Sequence, residues 1–273
     1  MSEMLSKLIV DKLLKNKIQI KKNFELSINK IGVRYCYIDE LLPNEIVDKI
    51  SIAFPRYESM RHLKSFKEDK FTSKSFDNFD PILKDITFAI QNEEVIKIIS
   101  EITGIPNQIA DPTLYAGGLS IMVKNSFLNP HIDNSHDGDR TMYRTLNLLY
   151  YVSKEWKLEN GGNLELWNKT VNKHITIESK FNRLVLMETN PWSWHSVNKV
   201  RVEKVRNCIS NYYFSKSSPL DYNYFHVTSF SARPEEKIKA FQYFLDNNIR
   251  KLIRYVFPKG LGKKDIYNSK NQN

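Results

Sequence analysis

Two histidines and one aspartate have the types and the spacing of a metal site. His131 and Asp133 are one residue apart at the end of a predicted strand, so both side chains lie on one face, with Ile132 on the other. His195 offers a second imidazole beside another predicted strand. Two imidazoles and one carboxylate on one face of an octahedron leave three positions open, an arrangement that suits catalytic iron(II). The His-x-Asp triplet alone is a weak signal, because it also occurs by chance on protein surfaces.

A downstream arginine adds a second feature. Arg206 begins an apolar strand in which Arg206, Cys208, Ser210 and Tyr212 share one face. A guanidinium turned inside a β-sandwich costs several kcal/mol unless it is paired. Its partner is either an internal Asp or Glu, which would make a structural ion pair, or the carboxylate of a bound ligand held in a fork geometry.

The elements that must position these residues are short strands. After Ile105 the sequence changes to apolar or alternating runs separated by Gly, Asn, Asp and Pro, a pattern typical of an all-β sandwich or barrel. Seven or eight such strands can form two facing sheets, and a jelly roll is one closed arrangement of that size. The predicted strands are residues 115–123, 128–133, 144–152, 163–167, 173–177, 183–188 and 205–214.

Helical patterns flank this β region on both sides. Residues 1–30 predict an amphipathic helix packed on the body of the protein, with a helix on a membrane surface as the alternative. Further helical spacing begins near Pro43 and covers 81–103 and 235–256, whereas the polar segment 57–80 predicts a long loop. We expect a support region at 1–110, a core at 111–216 and a C-terminal extension with a frayed basic tail at 217–273, all within one compact domain.

Composition excludes several classes of protein. With 273 residues, 41% of them hydrophobic and 26% charged, the chain is long and apolar enough to fold around a sizeable core. It has two distant cysteines, no apolar run near the roughly 20 residues of a membrane span and no signal-peptide pattern, so we expect a soluble, cytoplasmic protein. The net charge of +10 suits an anionic partner, but the dispersed lysines and the lack of a recognised module argue against nucleic acid.

Several motifs occur in an order that resembles one enzyme family. They span roughly residues 113–216, and their order resembles the Fe(II)- and 2-oxoglutarate-dependent dioxygenases, specifically the prolyl-4-hydroxylase-like branch. The motifs are His131-x-Asp133, the run 144–151, the Gly161-Gly162 turn with 163–167, the run 182–186, Trp194-His195, and Arg206 before Tyr212-Tyr213-Phe214.

The resemblance implies a fold and a set of cofactors. The fold is α+β, with a double-stranded β-helix core (a jelly roll, cupin-like) and flanking N- and C-terminal helices. Fe(II), 2-oxoglutarate and O2 would be the cofactors and cosubstrates. His131, Asp133 and His195 would be the metal ligands, and Arg206 would bind the distal carboxylate of 2-oxoglutarate.

The chain departs from the family at one position near this arginine. Many relatives carry Ser or Thr two residues after it, where this chain has Cys208, and Ser210 or Tyr115 would then supply the hydroxyl. Asn147 and Tyr115 are also candidates to orient the cosubstrate, although either residue is equally consistent with a structural hydrogen bond in the barrel wall. Asp133 favours hydroxylation, because halogenase relatives have Gly or Ala in its place.

The expected reaction is hydroxylation of an unactivated C–H bond with release of succinate and CO2. We expect a small or carrier-linked metabolite as substrate, such as an amino acid, a sugar or a natural-product intermediate. A protein prolyl hydroxylase, a non-catalytic β-barrel ligand-binding protein and a zinc hydrolase are the alternatives. The sequence does not indicate the oligomeric state. Candidate substrate-pocket residues are Lys124, Arg140, Arg144 and Trp194.

Overall fold

The computed structural model describes residues 1–73, 75–257 and 267. The tail predicted after Pro258 lies outside the described residues, apart from Tyr267. The helices are α1 (Ser2–Ile31), α2 (Asn44–Ala53), α3 (Pro81–Ala89), α4 (Glu93–Thr103) and α5 (Lys237–Val256). The strands are β1 (Tyr35–Asp39), β2 (Arg61–Lys64), β3 (Glu68–Ser73), β4 (Gly118–Met122), β5 (Phe127–Ile132), β6 (Tyr143–Tyr151), β7 (Leu164–Trp167), β8 (His174–Ile177), β9 (Arg183–Glu188), β10 (His195–Val197), β11 (Arg206–Ser215) and β12 (Ser229–Phe230).

The strands form one curled antiparallel sheet with a double-stranded β-helix arrangement. Its order is β1-β9-β6-β11-β4-β3-β5-β10-β7-β8, with β2 paired to β3 and β12 paired to β5. The strands β9, β6, β11 and β4 form one half, and β5, β10, β7 and β8 form the other. The predicted α+β jelly roll is confirmed.

Helices α1, α3 and α4 cover one side of the sheet. Side chains of α1 that include Leu5, Ile9 and Leu13 are fully buried, and α1 packs on α3, α4 and β1. The prediction of a docked N-terminal helix is therefore confirmed. No helix in the described ranges combines the length and apolar character needed to cross a membrane.

Local sequence explains where these helices begin and end. The Asp80 carboxylate accepts a hydrogen bond from the Ile82 amide at 2.9 Å, which caps α3 ahead of Pro81. The Asn92 side chain caps α4 in the same way, so the helical pattern predicted for 81–103 is divided into two helices. Gly104 ends α4 with a φ of 67°, in the left-handed region that favours glycine.

The loop predicted for residues 57–80 is wrong. After one short 3-10 turn, this segment forms the hairpin β2–β3, and β3 is inserted between β4 and β5. The prediction failed because the face of β3 that carries Glu68, Lys70 and Thr72 lines a polar cavity. The strand therefore lacks the apolar inner face that identifies most half-buried strands.

The turn predicted at Gly161-Gly162 is confirmed and leads into β7. Gly161 has a φ of 73°, and a Cβ atom there would lie 2.0 Å from the backbone oxygen of Lys199. No other residue type fits this position without moving the backbone. The turn allows residues 199–200 to pack closely against the backbone just before β7.

Candidate metal centre and cosubstrate cavity

Strand pairing brings the His-x-Asp motif and the distant histidine together. His131 lies in β5 directly opposite His195 in β10, and their ring centroids are 4.1 Å apart. Asp133 follows β5, with Oδ1 3.7 Å from His131 Nε2 and Oδ2 3.6 Å from His195 Nε2. One donor atom from each residue lies within 4.8 Å of the other two. These distances allow all three side chains to contact a single ion.

Backbone carbonyls orient both imidazoles. Nδ1 of His131 lies 3.0 Å from the Asn129 carbonyl, and Nδ1 of His195 lies 3.0 Å from the Ser193 carbonyl. Each Nδ1 therefore donates a proton to oxygen, which leaves the Nε2 lone pair free to face the centre of the group. Burial and the neighbouring His195 lower the pKa of His131 to about 3, so its imidazole is neutral and able to bind a metal at neutral pH.

Asp133 is held by an arginine and an amide from β6. Asn147 Nδ2 donates to Asp133 Oδ2 at 2.8 Å, and Arg144 Nη1 lies 3.3 Å from the same oxygen. Burial alone would raise the pKa of Asp133, but Arg144 and the two histidines outweigh burial and lower it well below its usual range. The Asp133 carboxylate is therefore ionised.

Arg206 enters the same cavity without a carboxylate partner among the described residues. Its side chain is buried, with Nε 3.4 Å from Ser179 Oγ and Nη1 3.6 Å from Met122 Sδ. The guanidinium lies over the ring of Tyr151, 4.7 Å from the ring centroid. The Tyr151 hydroxyl is buried beside Arg206 and Ser179, and neither makes a well-aligned hydrogen bond to it. Burial raises the pKa of Tyr151 to about 12, so the hydroxyl remains protonated and can donate.

The three candidate metal ligands and Arg206 share one cavity of about 310 Å³. This volume is at the small end of the range for ligand pockets. The predicted common face of β11 is confirmed, because Arg206, Cys208, Ser210 and Tyr212 all line the cavity. The lining also includes Glu68, Lys70, Thr72, Met122, His131, Asp133, Asn147, Leu149, His195, Phe230 and Arg250.

Two of the three residues predicted to assist cosubstrate binding line this cavity. Ser210 and Asn147 do so, and Asn147 also contacts Asp133. Tyr115 is not part of the lining. Its hydroxyl accepts a long hydrogen bond of 3.5 Å from Asn134 Nδ2.

The residues predicted for the substrate pocket lie outside the cavity lining. Lys124 is exposed and pairs with Glu203 at 2.6 Å. Arg140 stacks on the Phe225 ring, 3.9 Å from its centroid. The Trp194 carbonyl accepts a hydrogen bond from the Trp167 amide.

Arg144, the fourth of these residues, lies behind Asp133. Its side chain is fully buried, and its guanidinium stacks on the Tyr212 ring, 4.1 Å from the centroid. In this position Arg144 holds a candidate metal ligand and does not line the cavity.

The structure adds polar residues that sequence reasoning missed. Lys70 and Glu68 of β3 pair at 3.1 Å on the cavity wall, and Arg250 reaches the same cavity from α5. The alternating positions Glu68, Lys70 and Thr72 lie on one face of β3 and line the cavity. Their alternation is consistent with a strand, but because they are polar the sequence alone does not show that they face the interior.

A larger groove of about 730 Å³ lies along α4 and the 104–110 segment. It contains none of the candidate ligands and no basic residue except Lys97, whose neighbours there include Glu93 and Glu101. The candidate metal ligands and Arg206 therefore lie in the cavity of about 310 Å³ and not in this groove.

The donor set fits iron(II). Two imidazoles and one ionised carboxylate come together at the wall of the cavity. Histidine and carboxylate donors with open positions are the pattern of non-haem iron(II) oxygenases. Arg206 supplies a positive charge in the same cavity for an anionic second ligand.

Comparisons with known proteins identify the family. Residues 117–214 match the family profile described as the 2OG-Fe(II) oxygenase superfamily. No curated protein sequence matches the chain. A prolyl-4-hydroxylase from Pseudomonas putida superposes with a TM-score of 0.55 and 13% identity, over 72% of this chain and 100% of that one.

Two further solved structures share the fold. A prolyl hydroxylase from Trichoplax adhaerens, in complex with a hypoxia inducible factor oxygen degradation domain peptide fragment, gives a TM-score of 0.52 at 18% identity, over 74% of this chain and 92% of that one. A prolyl 4-hydroxylase from Phytophthora capsici gives a TM-score of 0.52 at 14% identity, over 93% of this chain and 80% of that one. The family acts on substrates such as small molecules or peptides. Residues 117–214 thus match the 2OG-Fe(II) oxygenase superfamily, the chain has the fold of prolyl-4-hydroxylase-like members, and these findings identify a dioxygenase that uses Fe(II), 2-oxoglutarate and O2.

Proposed function

We propose that His131, Asp133 and His195 hold the iron and that Arg206 binds the distal carboxylate of 2-oxoglutarate. The observation that carries this proposal is the presence, in one small cavity, of the three donor side chains and a buried arginine with no described carboxylate partner. Because a buried unpaired guanidinium is unfavourable, a dicarboxylate that reaches from the metal to Arg206 relieves the cost. A zinc hydrolase gives Arg206 no role.

Tyr151 and Ser179 complete the proposed carboxylate site. The Tyr151 hydroxyl lies beside the guanidinium and remains a donor at neutral pH. Ser179 Oγ contacts Arg206 Nε and donates to the Gly162 carbonyl at 2.7 Å, which ties Arg206 to the turn before β7. Ser210 and Asn147 offer further polar atoms on the cavity wall. Tyr115 stays a predicted cosubstrate residue without a cavity contact.

Bound iron and 2-oxoglutarate would supply, with O2 as the oxidant, the chemistry that forms succinate and CO2 and hydroxylates a C–H bond. The chain's own residues then have three tasks. Arg144 and Asn147 keep Asp133 ionised and oriented, because both contact its Oδ2. The Asn129 and Ser193 carbonyls hold the histidine tautomers. Leu149, Met122 and Phe230 provide apolar wall that limits water.

We propose a small or carrier-linked metabolite as the substrate. The limited cavity volume of about 310 Å³ supports this choice over a folded protein surface. Lys70, Glu68 and Arg250 on the side formed by β3 and α5 offer charged groups to a polar substrate. A peptide substrate is the alternative, and a substrate screen that contains both classes decides between them.

Turnover without the substrate tests the enzymatic proposal. Purified chain with Fe(II), 2-oxoglutarate, O2 and ascorbate is expected to form succinate and CO2 slowly, with ascorbate as the reductant that takes the oxidising equivalent in place of the substrate. Asp133→Ala should abolish succinate formation, whereas Asp69→Ala, in β3 but paired with His62, serves as a matched control and should keep it. Equal succinate formation by wild type and Asp133→Ala would contradict the assignment, as would O2-independent turnover.

A further inference from the structure

Helix α5 turns its apolar side toward solvent. Six large apolar side chains recur at helical spacing along one side, and each is between 45% and 84% exposed. We call this set the outer face of α5. It consists of Phe241, Phe244, Leu245, Ile249, Leu252 and Tyr255.

The opposite side of α5 is fixed to the protein by polar contacts. Lys67 Nζ donates to Asp246 Oδ1 at 2.9 Å. The Asn247 side chain makes two hydrogen bonds with the backbone of Phe230, at 2.9 and 2.7 Å. Tyr243, one turn earlier, is buried. The helix is thus inverted relative to an ordinary surface helix, whose apolar side packs on the core.

The inversion leaves a continuous apolar surface that requires an explanation. A helix of 20 residues is about 30 Å long, so the outer face extends over several turns. Exposed apolar surface of this kind marks a protein or membrane interaction site, whereas single exposed apolar residues need no explanation. The polar anchors hold the outer face in a fixed orientation for such a contact.

Charge indicates the kind of surface that α5 contacts. Its sequence contains five Lys or Arg and one Asp. Residues 258–273 add four Lys and one Asp, and the whole chain carries a net charge of +10. Pairing two copies through α5 would bring like charges together, which argues against a dimer through this face. The positive charge is complementary to an anionic surface.

We propose that the outer face of α5 lies on the surface of a membrane that contains anionic lipid. A helix with an apolar side rich in Phe and Leu, with Lys or Arg near both ends and with too little apolar character to span a bilayer is the type that lies in the interfacial plane. Apolar side chains enter the headgroup boundary, and nearby Lys and Arg contact lipid phosphates. Arg250, on the opposite side of the same helix, lines the cavity, so α5 lies between the proposed membrane contact and the cavity.

Vesicle flotation with the full chain tests this proposal. Vesicles of phosphatidylcholine alone are compared with vesicles that contain about 30% phosphatidylserine, at low and high salt. We expect binding to the anionic vesicles, weak binding to the neutral ones and a decrease in high salt, because exposed charges are screened. The double variant Phe244→Glu/Leu252→Glu should lower binding on the order of tenfold or more, since it removes two apolar anchors.

Controls make each outcome decisive. Ile18→Glu changes an apolar side chain on α1 that is 86% exposed and should leave vesicle binding unchanged. Circular dichroism and 2-oxoglutarate binding show whether the double variant remains folded. No binding of the wild type to anionic vesicles overturns the proposal, and so does equal binding by the double variant. A wild-type dimer in light scattering that the double variant abolishes would assign the outer face to a second copy and also overturn it.

Discussion

Replacing Arg206 with methionine separates two effects of the guanidinium. One is its contribution to 2-oxoglutarate affinity, and the other is its effect on the free energy of unfolding of the ligand-free protein. The Arg206 side chain is buried and pairs with no described carboxylate, so in the absence of 2-oxoglutarate it carries an uncompensated charge. Breaking a buried charge pair by removing one partner costs roughly 3–5 kcal/mol. At about 1.4 kcal/mol per factor of ten, Arg206→Met should weaken 2-oxoglutarate binding by at least two orders of magnitude.

The same substitution should not destabilise the ligand-free protein. Methionine fills part of the arginine volume without a charge, so the free energy of unfolding should stay equal or rise. Calorimetric titration of 2-oxoglutarate into the anaerobic Fe(II)-loaded protein gives the binding change. Urea denaturation without ligand gives the stability change.

Arg183→Met is the matched control. Arg183 is also buried, but its Nη2 donates to Asp39 Oδ2 at 2.8 Å, and neither residue is part of the cavity lining. This variant should lose stability and keep its affinity for 2-oxoglutarate. If Arg206→Met bound 2-oxoglutarate as tightly as wild type, or lost as much stability as Arg183→Met, the proposed carboxylate site would be refuted.

Three further predictions concern other parts of the structure. Asn147→Ala removes the 2.8 Å hydrogen bond to Asp133 and should weaken Fe(II) binding by about 10–100-fold in a chelator competition, whereas unchanged affinity would exclude this positioning role. Gly161→Ala places a Cβ atom 2.0 Å from a backbone oxygen at a φ of 73°, so the midpoint of thermal unfolding should fall by several degrees, and an unchanged midpoint would contradict this packing. Burial lowers the pKa of His226 to about 4, below its value of about 6.5 in the unfolded chain. The unfolded chain therefore binds a proton more readily, so the free energy of unfolding is highest above pH 6.5 and falls as the pH decreases toward 4. Chelator-treated wild type should lose about 2 kcal/mol more than His226→Phe between pH 7.5 and 5 in urea denaturation, and parallel losses would show that His226 is not the titrating group.

Part of the sequence signal for the three candidate metal ligands is local. A His-x-Asp pair at the end of a strand has both side chains on one face whatever the rest of the fold, and the structure shows them together. The approach of His195 depends on the pairing of β10 with β5, which no local pattern reveals. The order of motifs in the family resemblance supplied that link.

The sequence did not predict which charged residues line the cavity or which side of α5 packs on the protein, because both depend on long-range packing. Positive charge suggested Lys124 and Arg140 as substrate contacts, but neither lines the cavity, whereas Lys70 and Arg250 do. Lys70 was missed because β3 has a polar inner face. The spacing of 235–256 correctly predicted a helix, yet amphipathic spacing does not say which side of a helix packs on the protein.

Anaerobic absorption spectroscopy tests most directly whether one site holds both iron and cosubstrate. Fe(II) is added to the metal-free protein, followed by 2-oxoglutarate, and the visible region is monitored for the weak charge-transfer band of a chelate between the two. We predict that the band appears in wild type, is absent in His131→Ala and requires a higher 2-oxoglutarate concentration in Arg206→Met. Absence of the band in wild type at saturating Fe(II) and 2-oxoglutarate would contradict the proposed site.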